Sequence, residues 1–430
     1  ANAATESNGI FTYGGFTIDG GKTGNITLDG QGQNGSYNAG IYTSYQMSAG
    51  NNLIKTVNGN ISITGSSNGG GSSGDRGILL LAGNSYSTTI EATGTGTITI
   101  NGNSGTGTYA SNDIYTQGIV NILAHSGTIS VTGTGNGNFQ SDSNALTIGY
   151  KTSSDVTTSS SNVTIKDDKV TWSSSGSWQI NTSGTTAIQP YGSDFAAALS
   201  TANIGFSTDT SALTIGKASS ADGKIDVGVT IINAISIAGP ISVYGGAITL
   251  NAGLTATGSN TITLKGSGNV TDGASGYVSA DKLLLSGGAV TLDNTNNAIG
   301  TLAATGISTL TYVDSNALTI GTVGSTDGVS ATGAVSIGTL TGDLTVSKNI
   351  ATTNTTASAL VLNAGISTAA GTSTGGNILL SGSPTISVGT GGTAKLYTGS
   401  ISGSSGVTTL VGSGSGNFRY NSDESATNYT

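Results

Sequence analysis

A short motif of the form Gly-x-Ile-x-(Ile/Leu/Val)-x-Gly recurs four times in the first third of the chain. Its copies, GNITLDG, GNISITG, GTITING and GTISVTG, begin at Gly24, Gly59, Gly96 and Gly127. Each copy alternates apolar and polar residues over one strand length, and a glycine closes it where the chain must turn. The motif therefore predicts short strands with one buried side, which return at steps of 35, 37 and 31 residues.

The segments between these copies are polar and rich in glycine. Tracts such as SSNGGGSSGDRG and NGNSGTGTYASND have side chains too small and polar for a core. Each tract is followed by a second apolar segment, GILLLAG or DIYTQG. We interpret the tracts as loops that project from a repeating coil.

The second half of the chain has a shorter rhythm. GGAITL begins at Gly245 and GGAVTL at Gly287, and GSGNVT begins between them at Gly266. One repeat is then about 21 residues long. A repeat of this length, with short strands separated by Gly, Asn or Ser corners, is typical of a parallel β-solenoid whose turns stack on one another.

An eight-residue phrase is also reused. DSNALTIG occurs at Asp142–Gly149 and at Asp314–Gly321, and the near copy DTSALTIG occurs at Asp209–Gly216. We interpret the phrase as a set of side chains that one face of the coil accepts at any level. A β-sandwich is the alternative fold, but it would not need near-identical strands at repeated offsets.

Composition supports an all-β coil. The chain has 70 Gly, 3 Pro and no Cys, and 8% of its residues are charged. A largely disordered chain is excluded because 35% of the residues are hydrophobic and aliphatic side chains recur throughout. Long runs of helix-forming residues are missing, whereas Thr and Val favour strands.

The rhythm divides the chain into four segments. Residues 1–149 are predicted to form rungs with long loops, and residues 224–412 a regular β-helix shaft at about 20 residues per rung, with residues 413–430 as its edge. Residues 150–223 depart from the rhythm, so we expect irregular rungs or a hairpin outside the helix there. Within them, DFAAALS is a candidate helical turn.

The repeats resemble those of a known family. Segments such as GPISVYGGAITLNAGLTATGSNTITLKGSGNVTDG are similar to the repeat region of the filamentous haemagglutinin-like exoproteins, the large adhesins of bacterial two-partner secretion. The resemblance is strongest from about Lys224 to Thr341 and extends more loosely over the whole chain. It implies a right-handed parallel β-helix, exported by an outer-membrane transporter and displayed on the bacterial surface or secreted as a filament.

The resemblance also places this chain within its parent protein. The amino-terminal secretion domain of that family carries an NPNGI-type motif, which this sequence lacks. We therefore expect an internal section of an adhesin that serves adhesion, aggregation or contacts in a biofilm matrix.

Charge and residue usage exclude several functions. The net charge is −9 and the acidic residues are scattered, so we expect no nucleic-acid partner. No apolar run approaches the roughly 18 residues of a membrane span. His125 is the single histidine and there is no Cys, so we predict neither a metal nor a cofactor.

A polysaccharide-acting β-helix enzyme is the catalytic alternative. Such an enzyme needs carboxylates clustered on one exposed face. The best candidates are Asp167 and Asp168, which stand between Lys166 and Lys169. We interpret KDDK as a charged turn and predict no enzymatic activity.

Aromatic residues give the clearest binding signal. The chain has 15 Tyr against 6 Phe, and sugar rings stack on exposed aromatic faces. The candidate ligand contacts are Tyr37, Tyr42, Tyr45, Tyr109, Tyr115, Trp172 and Trp178. The alternative role for each is to cap rungs or anchor loops.

The sequence thus predicts a structural and adhesive shaft that contacts exopolysaccharide or cell-surface glycans. A passive stalk or surface-layer segment is the other non-catalytic alternative. The low charge also allows lateral association between copies.

Overall fold

The computed structural model describes residues 8–33, 38–44, 50–68, 74–83, 85–105, 111–172, 176–218, 227–369, 371–372, 375–412 and 423–424. The chain forms two compact units, Ala1–Ser219 and Ser220–Thr430. Almost every regular element is a β-strand, and nearly all strand pairs are parallel. The predicted all-β parallel β-helix is therefore confirmed.

The first unit contains nineteen strands among its described residues. They are β1 (Ile10–Tyr13), β2 (Thr17–Asp19), β3 (Ile26–Gly32), β4 (Ala39–Ser44), β5 (Asn52–Thr56), β6 (Ile61–Ser67), β7 (Arg76–Leu81), β8 (Ser87–Ala92), β9 (Ile98–Asn103), β10 (Asn112–Ala124), β11 (Ile129–Gly133), β12 (Phe139–Gly149), β13 (Val163–Lys166), β14 (Val170–Trp172), β15 (Ser177–Asn181), β16 (Thr185–Gln189), β17 (Leu199–Ser200), β18 (Ile204–Phe206) and β19 (Ala212–Ile215).

Eighteen of these strands, all except β17, build three faces, and a full turn of the coil contributes a segment to each face. The first face runs through β1, β4, β7, the first part of β10 and of β12, and β14. The second runs through β2, β5, β8, the later parts of β10 and β12, β15 and β18. The third runs through β3, β6, β9, β11, β13, β16 and β19.

The recurring glycine motif forms the third face. Ile26, Ile61, Ile98 and Ile129 are register partners in consecutive strands, so the four copies stack directly on one another. All four isoleucines are buried, and the alternating Thr or Ser residues point outward.

A steric constraint explains why a glycine opens each copy of the motif. A Cβ built at Gly59, Gly96 or Gly127 would lie closer than 3.0 Å to the carbonyl oxygen of the glycine one rung earlier. Consecutive rungs approach so closely at this corner that no side chain fits. The spacing of the motif therefore reflects both the aliphatic core and this column of glycines.

Six strands of residues 150–218, namely β13, β14, β15, β16, β18 and β19, belong to the same three faces. The strands β14 and β15 both pair in parallel with β12 and not with each other, so this stretch forms rungs and not an antiparallel hairpin. The expectation of a helical turn at residues 194–200 is wrong, because that segment contains bends and the short strand β17. Phe195 and Leu199 of this segment are buried.

The second unit contains twenty-two strands and one short helix among its described residues. They are β20 (Val229–Ile231), β21 (Ile235–Ile237), β22 (Ile241–Gly245), β23 (Ile248–Leu250), β24 (Gly253–Ala256), β25 (Thr261–Gly266), β26 (Val270–Asp272), β27 (Tyr277–Ser286), β28 (Ala289–Leu292), β29 (Ala298–Ile307), β30 (Thr309–Asp314), β31 (Leu318–Ile320), β32 (Thr322–Val323), β33 (Thr326–Asp327), β34 (Val329–Ala331), β35 (Val335–Thr339), β36 (Leu344–Val346), β37 (Ile350–Thr352), β38 (Leu360–Ala364), β39 (Ile378–Leu380), β40 (Ile386–Ser387), β41 (Ala394–Tyr397) and α1 (Val407–Val411).

The second unit confirms the shorter rhythm. Ile248, Val270 and Val290, from the three GG- or GS-initiated segments, are register partners in β23, β26 and β28. This sheet continues through β30, β35, β38 and β41. Among the described residues, the pair β32 and β33 is antiparallel, and it forms a small hairpin on the coil.

The reused eight-residue phrase fills equivalent inward positions on different faces. Its Leu and Ile residues are buried in all three copies. The residues Ala145–Gly149 of one copy, however, lie in the second face of the first unit, whereas those of the copy DTSALTIG lie in the third face, in β19. The interpretation that a single face accepts the phrase is therefore wrong, because an inward aliphatic pair fits any side of the coil.

Candidate functional site

The first face of the first unit carries one continuous line of outward side chains. Successive register partners along it are Phe11, Tyr42, Leu79, Tyr115, Gln140 and Thr171. We call this line the outer row. Because neighbouring strands are about 4.8 Å apart, the outer row extends about 14 Å from its first to its fourth residue.

One end of the outer row is aromatic and exposed. Phe11 is 49% exposed and Tyr13, two positions further along β1, is 61% exposed. The ring of Phe11 meets that of Tyr42 edge-on, with the centroids 5.0 Å apart, and lies 6.2 Å from that of Tyr13. Exposed aromatic groups in contact with one another form a binding platform more often than scattered single ones do.

The other end of the outer row is polar. The hydroxyl group of Tyr115 donates a hydrogen bond to Asp142 Oδ2 at 2.8 Å, and Gln140 Nε2 donates to the same carboxylate at 3.0 Å. Asn112 Nδ2 donates to Gln140 Oε1 at 2.9 Å. Arg76 Nε donates to Asn112 Oδ1 at 3.3 Å, and its guanidinium carbon lies 5.2 Å from the centroid of the Tyr115 ring.

These polar groups therefore surround Tyr115. We call Arg76, Asn112, Gln140 and Asp142 the polar cluster. The mutual hydrogen bonds fix the orientation of each side chain before any ligand arrives, which lowers the entropic cost of binding.

A small apolar cluster lies beneath the two tyrosines. It contains Ala39 of β4 together with Leu79 and Leu81, which are only 6% and 4% exposed although they point to the outer side of β7. Tyr42 and Tyr115 pack against this cluster. Packing on one ring face holds the tyrosines in place and leaves them half-buried.

The structure brings together two of the predicted ligand contacts. Tyr42 and Tyr115 belong to the same outer row, two rungs apart. Tyr37, Tyr45 and Tyr109 lie outside the described residues.

The tryptophans do not join this surface. Trp178 is 1% exposed and lies in the core between its register partners Leu146 and Ile204, so its choice as a ligand contact is wrong. Its ring packs 4.8 Å from that of Phe139 and 5.1 Å from that of Trp172. Trp172 is half-buried and serves this internal cluster.

The two candidate carboxylates of KDDK differ in burial and in their hydrogen-bond partners. Asp167 is 1% exposed, and its Oδ1 accepts a hydrogen bond from the backbone N–H of Lys169 at 2.9 Å. Burial raises the pKa of Asp167 to about 8, and the nearby Asp113 and Asp168 carboxylates add to the increase. Asp168 Oδ1 accepts from the N–H of Gly192 at 2.7 Å. The turn is present, but Asp167 points inward and is not part of a solvated charged turn.

A second buried carboxylate belongs to the reused phrase. Asp314 Oδ2 accepts hydrogen bonds at 2.8 Å from the N–H of Ile299 and from the hydroxyl of Tyr312. Burial raises the pKa of Asp314 to about 6. Its partners are the protein's own groups, which indicates a structural role in the second unit.

The remaining features do not form a site. His125 is exposed, with Nδ1 3.3 Å from the carbonyl oxygen of Thr158. In the part of the chain that the structure describes, no three acidic or histidine residues come together as metal ligands. Within the same part, no helix has the length and apolar character needed to cross a membrane.

No protein-family model, curated protein or solved structure matches the chain.

Tyr42 and Tyr115 are the two residues of this site that the sequence predicted, and the others were not predicted. Phe11 and Tyr13 alternate with Ile10 and Thr12 in IFTY, which is the signal for two outward aromatic residues on one strand. Arg76 and Asp142 had no comparable signal. Their role depends on which rungs become neighbours, and the loops between rungs vary in length.

Proposed function

We propose that this chain is a shaft segment of a secreted bacterial surface filament that mediates adhesion, aggregation or contacts with the biofilm matrix. The observation that carries the proposal is the outer row, with its exposed aromatic end at Phe11 and Tyr13, on a stacked parallel scaffold. Each rung pairs with its neighbours through backbone hydrogen bonds, so the scaffold resists deformation while its outward residues remain available for contacts. The resemblance to filamentous haemagglutinin-like exoproteins supports secretion through an outer-membrane transporter.

The ligands of such a shaft would be glycans of a matrix or of a cell surface. Aromatic faces bind the apolar C–H faces of sugar rings, and amide and carboxylate groups bind their hydroxyl groups. From Phe11 to the polar cluster, this surface supplies both kinds of group within five rungs, a length of about 19 Å.

We propose no catalytic role. Asp167 is 1% exposed and Asp168 is engaged by Gly192, so the two carboxylates do not face one substrate. A general acid and its partner must both reach the scissile bond.

The proposal is tested by adhesion under flow. Beads coated with the full chain should be retained on a bacterial biofilm or on an epithelial cell layer, whereas beads coated with albumin should wash off. Equal retention of both kinds of bead would show that the chain is a passive stalk.

A further inference from the structure

We propose that the outer row binds an uncharged, extended polysaccharide chain that lies across the strands, parallel to the stacking direction of the first unit. This inference rests on the proposed adhesive function and names the ligand class for it. Three properties of the surface support it: the order of its aromatic rings, the chemistry of its polar end and its charge.

The aromatic end fixes the direction in which a ligand would lie. Phe11 and Tyr42 are register partners on adjacent strands, so their rings follow one another across the strands. The two rings are nearly perpendicular, so a chain molecule meets the face of one ring and the edge of the other. Continuing in this direction from Tyr42, it reaches Tyr115 two rungs later. A linear polysaccharide would place successive sugar rings along this path, whereas a single sugar would contact only one of the aromatic residues.

The polar end suits hydroxyl groups. A sugar hydroxyl both donates and accepts hydrogen bonds. The amide of Gln140 has donors and an acceptor, and the carboxylate of Asp142 accepts only. These two side chains are half-buried, whereas Asn112 is 4% exposed and acts by orienting Gln140. All three side chains are oriented by their bonds to one another and to Tyr115.

The charge of the surface excludes an acidic polysaccharide. Among the described residues of the outer row and the polar cluster, Arg76 is the one cation, and it already binds Asn112 and stacks over Tyr115. Asp142 places a negative charge beside it, and the whole chain carries −9. A uronate or sulfate group would therefore meet repulsion here, while an uncharged chain would not.

Affinity electrophoresis of the full chain tests this inference. In native gels that contain hydroxyethyl cellulose or glucomannan, we expect the mobility of the protein to fall as polysaccharide concentration rises. Alginate and heparin should have no such effect. The retardation should also persist when salt is raised, because contacts to an uncharged ligand are not screened.

A double variant, Phe11→Ala with Tyr13→Ala, removes the most exposed part of the platform. Both side chains are about half exposed or more, so the fold should persist, which circular dichroism can verify. We expect binding that is about threefold to tenfold weaker, since aromatic stacking contributes about 0.5–1.5 kcal/mol. Tyr191→Ala is the matched control, because Tyr191 is 50% exposed but lies outside the outer row.

Several outcomes would overturn the inference. They are retardation by the acidic polysaccharides alone, equal binding by the double variant and the wild type, and self-association that the double variant abolishes in sedimentation velocity. If no gel retards the protein but coated beads still adhere, the ligand class is wrong and the adhesive function stands. If the beads also fail to adhere, both proposals are wrong.

Discussion

The column of glycines on the third face of the first unit makes a strong prediction about stability. In Gly96→Ala, the new methyl group would point at the carbonyl oxygen of Gly59, closer than the 3.0 Å below which Cβ contacts are essentially never found. The neighbouring atom is backbone, so a side-chain rotation cannot relieve the clash. The two rungs must separate locally, which strains hydrogen bonds such as that from the N–H of Thr97 to Asn60 Oδ1 at 3.0 Å.

The expected cost follows from two contributions. Overpacking a well-packed site costs about 1–3 kcal/mol. Each weakened hydrogen bond adds about 0.5–1.5 kcal/mol. We therefore expect Gly96→Ala to lower the free energy of unfolding of the first unit by about 2–4 kcal/mol.

Urea unfolding followed by tryptophan fluorescence measures this cost. Both tryptophans lie in the first unit, so the signal reports on that unit within the full chain. Gly83→Ala is the matched control, because the nearest atom to a Cβ at Gly83 is Tyr86 Cδ2 at 3.6 Å, an ordinary contact. The control removes the same backbone freedom from the unfolded chain. Equal midpoints for the two variants would refute the steric explanation of the motif.

Three further predictions concern buried side chains. In the folded state Asp167 keeps its proton up to a pKa of about 8, whereas in the unfolded chain the carboxyl group loses its proton near its ordinary value of 3.8. The free energy of unfolding should therefore fall as pH rises between these two values, by up to about 1.4 kcal/mol per pH unit. Asp167→Asn should flatten that dependence between pH 5 and pH 8 in urea unfolding, and an unchanged slope, or the same flattening in Asp168→Asn, would contradict the assignment. Trp178→Ala should lower the free energy of unfolding by about 3–5 kcal/mol because it empties a core position, as measured by urea unfolding followed by circular dichroism. A loss below about 1 kcal/mol would show that the surrounding side chains fill the space. Asp314→Ala should lower the free energy of unfolding by about 2–4 kcal/mol because it leaves two buried donors unpaired, whereas Asp209→Ala, at the exposed equivalent position, should change it by less than about 0.5 kcal/mol. Equal effects of the two substitutions would show that burial of the carboxylate does not explain the difference.

The fold was predictable because its signals are local and repeated. Period-two alternation identifies the inward residues of each strand, and recurrence of Gly24, Gly59, Gly96 and Gly127 identifies the strands that stack. The same alternation in SWQIN places Trp178 on the inward side with Ile180, so its burial could have been predicted. The exposure of Trp178 was overestimated because the residue lies in a stretch that departs from the repeat.

The binding surface was less predictable because it depends on contacts between rungs. Tyr115 and Asp142 become partners only because β10 and β12 stack with the observed register. Outward position also does not guarantee exposure, as Leu79 and Leu81 show by being buried on the outer side. Alternation says which way a side chain points, but it does not say what covers it.

The register of the first face has a practical consequence for engineering. Ile41, Ile78, Ile114 and Phe139 stay aligned although the chain takes routes of different length between them. The stacking of neighbouring turns therefore depends on the register of the strands and not on the length of the segments that join them. A foreign peptide inserted at the exposed turn residue Ser85, between β7 and β8, should be carried on the side of the coil without disturbing the stack.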